Sequence, residues 1–189
     1  DWVKMIESYY NKAGTRGFVS NNPGKDDTTG SFWYDLYPTA LFAQIATLYP
    51  HDASLRSKTI AVANSWLDAL GVLSDNWNHT GFSMKTMTAS DSGDWIEPDG
   101  AIGVAYLEYL TYTMTGQQKY LVAAQKVMSQ VSGFDKNPLY EILGSYGPYL
   151  AARMNAEQGT GYPLNKFLDN VFTAGSDSRP GWGTVDGRW

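Results

Sequence analysis

"EPDGAIGVAYLEYLTYTMTGQQKYLVAAQKV" (residues 97–127) decides the fold. Its first half follows a proline and is almost entirely small or apolar. Proline suits the first turn of a helix, where its missing N–H has no partner to lose. A short break, "TGQQ", interrupts the pattern. In the second half apolar residues recur every three to four positions among charged ones, the mark of a helix with one buried face. The stretch predicts a helical hairpin. Its inner helix, Pro98 to Met114, is nearly apolar, and its outer helix, Gln117 to Val131, is amphipathic.

The same unit recurs on both sides. Pro38 to Tyr49 predicts an inner helix, "YPHD" a break, and Asp52 to Leu70 an outer helix ended by Gly71. Pro138 to about Gln158, "GTGYP", and Pro163 to Phe172 repeat it. Residues 1–13 predict one more helix, from the spacing of Trp2, Met5, Ile6 and Tyr9, closed by Gly14 and Gly17. Residues 18–32 read as a loop and 173–189 as an irregular tail. Residues 72–96 have no clear period but leave room for a short hairpin around Phe82 to Met87. Gly100, Ala101, Gly103, Ala105, Gly144, Gly147, Ala151 and Ala152 suit close helix packing. The expectation is one all-α domain over residues 1–189, built from helical hairpins. Such hairpins form either a closed α/α toroid or an open α-solenoid. The connections before the inner helices are long and aromatic, which favours the toroid, because long loops on a rigid scaffold carry function.

Composition narrows the function. The chain has 189 residues, 43% of them hydrophobic and 14% aromatic, enough for a substantial core. A net charge of -5 argues against nucleic-acid binding. No apolar run reaches membrane-spanning length. With no cysteine and only His51 and His79 as histidines, disulfides, thiolate metal sites and a His-rich zinc site are not expected, and no metal or cofactor is assigned. Polar loops rich in Gly, Ser, Thr and Asn, with few lysines, point to a secreted or periplasmic protein. Asn78-His79-Thr80 is an N-glycosylation sequon, meaningful in a secreted eukaryotic protein.

Residues 97–127, with "NPLYEILGSYGPYLAARMNAEQGTGYPLNKFLDNVF" (137–172) and "SRPGWG" (178–183), resemble the six-hairpin glycosidases, the (α/α)6 toroid class. The resemblance covers roughly residues 33–183 and is one of pattern. It implies glycoside hydrolysis, or in some members polysaccharide cleavage by a lyase. It places the active site at the end of the barrel where the inner helices begin, with two carboxylates in the hydrolases. A six-hairpin ring has twelve helices and this chain supplies about seven, so it reads as part of a larger toroid, with the remainder of a longer chain as a partner.

Three places combine acids with aromatics where an inner helix begins: Trp33-Tyr34-Asp35, Asp94 to Asp99, and Asn137 to Glu141. If the repeat holds, all three meet at one rim. Glycoside hydrolysis needs a proton donor and a second carboxylate, about 6.5 to 9.5 Å apart in inverting enzymes. Glu97 is the first choice as general acid, because apolar Ile96 and Pro98 flank it and an apolar setting raises a carboxyl pKa. Glu141, inside the apolar "LYEIL", is the second, with an ion pair to Arg153 as its structural alternative. Asp99 and Asp35 are candidates for the base or for sugar hydroxyls, and Asp94 reads as a turn residue. Acids in a first helical turn also simply complement the helix dipole, by about 0.3 to 1 kcal/mol. Trp33, Tyr37, Trp77, Trp95 and Trp182 are candidate sugar platforms, with Tyr146 and Arg179 as further substrate contacts. Trp66, within an outer helix, reads as core. The expected partner is an oligo- or polysaccharide. A lyase ranks lower because it needs a base and a positive group for the uronate, and the rim is acidic. A non-catalytic helical-repeat module binding glycan or protein is the third reading; rim acids much farther apart than the hydrolase range, or individually salt-bridged and buried, would favour it.

Overall fold

A computed structural model describes residues 2–138, 141–173 and 175, and at Glu141 and Ile142 the backbone only. The described residues are mostly helical, with two short β-hairpins among them. In order the elements are α1 (Trp2–Glu7), β1 (Tyr10–Ala13), β2 (Arg16–Val19), α2 (Phe32–Leu48), α3 (Ala53–Leu73), β3 (Gly81–Ser83), β4 (Thr88–Ser90), α4 (Gly100–Thr115), α5 (Gln118–Ser132), α6 (Glu141–Gln158) and α7 (Leu164–Val171). Among the described residues, no helix is long and apolar enough to cross a membrane.

The hairpin unit holds three times: α2 with α3, α4 with α5, and α6 with α7. Helix α4 lies between α2 and α6 and packs on α5. Residues Gly100 to Thr111 are buried without exception, so α4 is surrounded on all sides. α2 and α4 run side by side from the same end. A Cβ built on Gly100 would lie 2.6 Å from Phe32 Cβ, and one on Gly103 would lie 2.7 Å from Leu36 Cβ. Leu143, in the first turn of α6, also reaches Gly103, at 3.5 Å from that Cβ. The three inner helices therefore begin at one end of the molecule. Gly100→Ala is expected to lower unfolding stability by about 2 kcal/mol in urea titrations, because overpacking outweighs the better helix propensity of alanine. An unchanged midpoint would mean that α2 and α4 separate at little cost.

Several boundaries differ from the sequence reading. The first helix stops at Glu7, and residues 10–19 form an antiparallel hairpin with Tyr10 opposite Val19 and Ala13 opposite Arg16. Its two-residue turn needs Gly14, at φ 63°, a left-handed backbone that glycine adopts without strain. α2 starts six residues before Pro38, capped by Ser31, whose hydroxyl accepts from the Tyr34 N–H. Pro38 sits inside the helix and removes the donor that would have met the Tyr34 carbonyl. The Asn21 N–H takes that carbonyl instead, at 3.0 Å. α3 runs through Gly71 and ends in Ser74, itself left-handed at φ 47°. α4 opens two residues after Pro98, and α6 three residues after Pro138. The hairpin expected around residues 82–87 is present, with Phe82 opposite Ala89.

Trp66 is buried, as its spacing predicts, and sits between Phe32 and Phe82, each with ring centroids 6.2 Å away. Trp77 is a correction. It lies in the core, 2% exposed, with its ring 5.6 Å from Phe32 and its indole N–H donating to Gln130 Oε1 at 3.0 Å. The absence of periodicity around it read as a loop, and it is a loop, but one folded back onto α5. Trp77 offers no face to a sugar.

Candidate functional site

The starts of α2 and α4 are stitched together by the segment before each. The Phe32 N–H donates to the Thr80 carbonyl at 2.8 Å, and the Glu97 N–H to the His79 carbonyl at 2.9 Å. Thr80 also donates its hydroxyl to the Trp95 carbonyl and accepts from the Ser92 N–H. The loop before α4 and the first turn of α2 are thus held against the same two residues, His79 and Thr80, that lead into β3.

Glu97 crosses between them. Its carboxylate accepts from the Ser31 hydroxyl (3.0 and 2.8 Å), the Trp33 N–H (2.7 Å) and the Trp95 indole N–H (2.8 Å). Trp33 N–H is one of the donors that a helix start leaves without an intrahelical partner. Glu97 therefore caps α2 from another element, with Ser31 as the second cap. The surroundings expected from Ile96 and Pro98 were apolar. Those found are three hydrogen-bond donors around a side chain 4% exposed.

Asp35 lies one turn into α2, 1% exposed. Both its oxygens accept from the Thr29 N–H, at 3.0 and 3.1 Å, and Oδ2 accepts from the Thr29 hydroxyl at 2.9 Å. Burial pushes its pKa up to about 7 against the lowering effect of those bonds, and the negative charges of Asp27 and Glu97 add to the rise. Asp99 is fully buried just ahead of α4, in helical backbone geometry. Asp94 is exposed in the preceding turn. Two of the three acid-and-aromatic stretches thus meet. For the third, Glu141 opens α6 at the same end, and its side chain lies outside the described residues, as do Arg179 and Trp182. Arg153 pairs with Glu157 at 2.7 Å and lies over the Tyr109 ring.

The aromatic candidates form two groups. Trp33 packs edge-on against Tyr34 (5.2 Å) and tilted against Tyr37 (5.4 Å). These rings, with Leu41 and Ile45 of α2 and Ile6 and Tyr9 from the N-terminal segment, line a largely apolar cleft of about 470 Å³. Tyr146 of α6 is half-buried, its ring 4.5 Å from that of Tyr106. Trp95 is 42% exposed and is held by its bond to Glu97. Among the described residues, no three His, Asp or Glu side chains converge as metal ligands.

One acid escaped the sequence reading. Glu108 lies two turns into α4, fully buried, and among the described residues neither carboxyl oxygen is hydrogen-bonded. Burial holds its pKa well above the ordinary carboxyl value, and the Lys119 ammonium offsets this only in part. The signal was available in "AYLEYL", an acid inside an apolar run, the same pattern that singled out Glu141. No family model, curated protein or solved structure matches the chain, so the candidate site stands on its geometry.

Proposed function

We propose that the chain is part of an α/α toroid and hydrolyses glycosidic bonds at the rim where α2, α4 and α6 begin. One observation carries the reading: three helix starts share one end, and Asp35, Glu97, Asp99, Trp33, Tyr34 and Trp95 gather there. Asp35 is the best proton donor among the described rim acids, since its carboxyl still holds a proton near neutral pH. Glu141, at the first residue of α6, is the proposed second carboxylate. Glu97 is a positioning residue: it fixes the Trp33 backbone and the Trp95 ring, on which a sugar face stacks. Export from the cell belongs to this proposal.

A second reading has its own support. Asp35, Glu97 and Asp99 are each at most 4% exposed, whereas Tyr34 and Trp95 are 49% and 42% exposed. Buried acids under exposed rings suit a non-catalytic glycan-binding module. The two readings separate in one experiment. Reducing-end release and binding are measured on a panel of neutral and acidic glycans, for the native chain and for Asp35→Asn, Glu97→Gln and Glu141→Gln, with circular dichroism as the folding control. Hydrolysis predicts a loss of about 100-fold or more in kcat/KM for Asp35→Asn, and a native rate that falls above pH 7. For Glu97→Gln it predicts mainly a raised KM. Binding without release establishes the second reading. A chain that neither cuts nor binds any glycan overturns both.

A further inference from the structure

We propose that Asn78 carries an N-linked glycan, and that the glycan is added before the β3–β4 hairpin closes. Asn78-His79-Thr80 is the one Asn-X-Ser/Thr triplet in the 189 residues. The fold sets Asn78 on the connection from α3 to β3, exposed, while its neighbours on either side are anchored. Trp77 is locked by Gln130 and Thr80 by Trp95 and Ser92. The backbone N–H of Asn78 donates to Asn76 Oδ1 at 3.0 Å, and among the described residues its side-chain amide makes no hydrogen bond. A glycan on that amide displaces nothing from the core.

The reaction requires a lipid-linked oligosaccharide diphosphate as donor. The amide nitrogen of Asn78 forms a bond to C1 of the first sugar. The bond from C1 to the diphosphate oxygen breaks, the lipid diphosphate leaves with the electron pair, and the amide proton passes to a base of the transferase. The transferase must also engage the hydroxyl two residues on. In the folded chain that hydroxyl is spent: Thr80 is 6% exposed, and its oxygen donates to the Trp95 carbonyl while accepting the Ser92 N–H at 2.9 Å. The folded chain is therefore a closed acceptor, and the unfolded segment an open one. One hydroxyl serves twice, first for the transferase and then as the tie between the entry to β3 and the loop before α4.

This inference goes beyond the glycosidase reading and needs only passage through a eukaryotic secretory pathway, which the test supplies. The full chain is secreted from such a host behind a cleavable signal. Most secreted molecules are expected to carry one glycan, and peptide N-glycosidase should remove it and leave Asp at position 78 in the peptide map. Asn78→Gln breaks no side-chain hydrogen bond among the described residues, so it should be secreted, folded and unglycosylated. Folded secreted protein with unmodified Asn78 overturns the site. The order of events has a separate test, in which folded, unglycosylated chain meets solubilised transferase and lipid-linked oligosaccharide. No transfer is expected while a short Asn-X-Thr peptide in the same mixture is modified. Transfer to the folded chain at the rate of the peptide overturns the order.

Discussion

Between pH 4 and pH 7 the Asp35→Asn variant is expected to lose about 3 kcal/mol less unfolding stability than the native chain. Asp35 has a folded-state pKa of about 7 and an ordinary value of 3.8. Across that window the native state keeps a proton that the unfolded chain has already released. The group's contribution is fully present below about pH 4 and is lost as pH rises through 7. Asparagine keeps the shape and cannot ionise, and its carbonyl can still accept from the Thr29 N–H. Urea titrations of both proteins at steps of pH measure the difference directly. Parallel curves would mean that Asp35 ionises in the folded chain as readily as in the unfolded one, and Asp35 would then lose its claim as proton donor.

Glu108→Met is expected to stabilise the chain by about 2 kcal/mol at about pH 3, where the carboxyl is almost wholly neutral in both states and the difference is the cost of burying it without a hydrogen bond. The gain should grow as pH rises. The folded-state pKa of Glu108 lies well above the ordinary value of 4.5, so its contribution is full below that value and falls as pH climbs through the raised one. Methionine is close in volume and flexible enough to fill the same space. Glu108→Gln separates the two effects, because it abolishes the pH slope and keeps the burial of a polar group. A methionine variant that is less stable than the native chain at pH 8 would mean that Glu108 has a partner whose loss outweighs the gain. Asp35 and Glu108 act in the same direction, so each favours the folded state more at pH 4 than at pH 8.

The helical hairpins were legible because α4 and α5 carry different patterns, apolar all round against apolar on one face, and because "TGQQ" breaks them cleanly. The boundaries were less so. Proline suits a first helical turn, and on that rule each inner helix opens at its proline. Pro38 is instead tolerated in mid-helix because Asn21, seventeen positions earlier, supplies the missing donor. No local rule anticipates a donor brought in by the tertiary fold. The first helix was drawn too long because the apolar spacing from Trp2 to Tyr9 carries no mark of where strand pairing takes over. The gathering of acids at the starts of α2 and α4 followed from the repeat. The environment of Glu97 did not, since its sequence neighbours are apolar while its spatial neighbours are Ser31, Trp33 and Trp95.

The hairpins pack chiefly on the hairpin before or after them in the chain. Phe32 and Gly100 meet across 68 positions, but the contact joins one hairpin to the next, and units that touch mainly their neighbours can propagate order from one to the next. The α2–α3 pair can settle while α4 is still being synthesised, and it then offers Phe32 and Leu36 as the surface onto which Gly100 and Gly103 close. On a ribosome the protein is thus expected to assemble from its N-terminal side, with each new helical pair seated on one already in place.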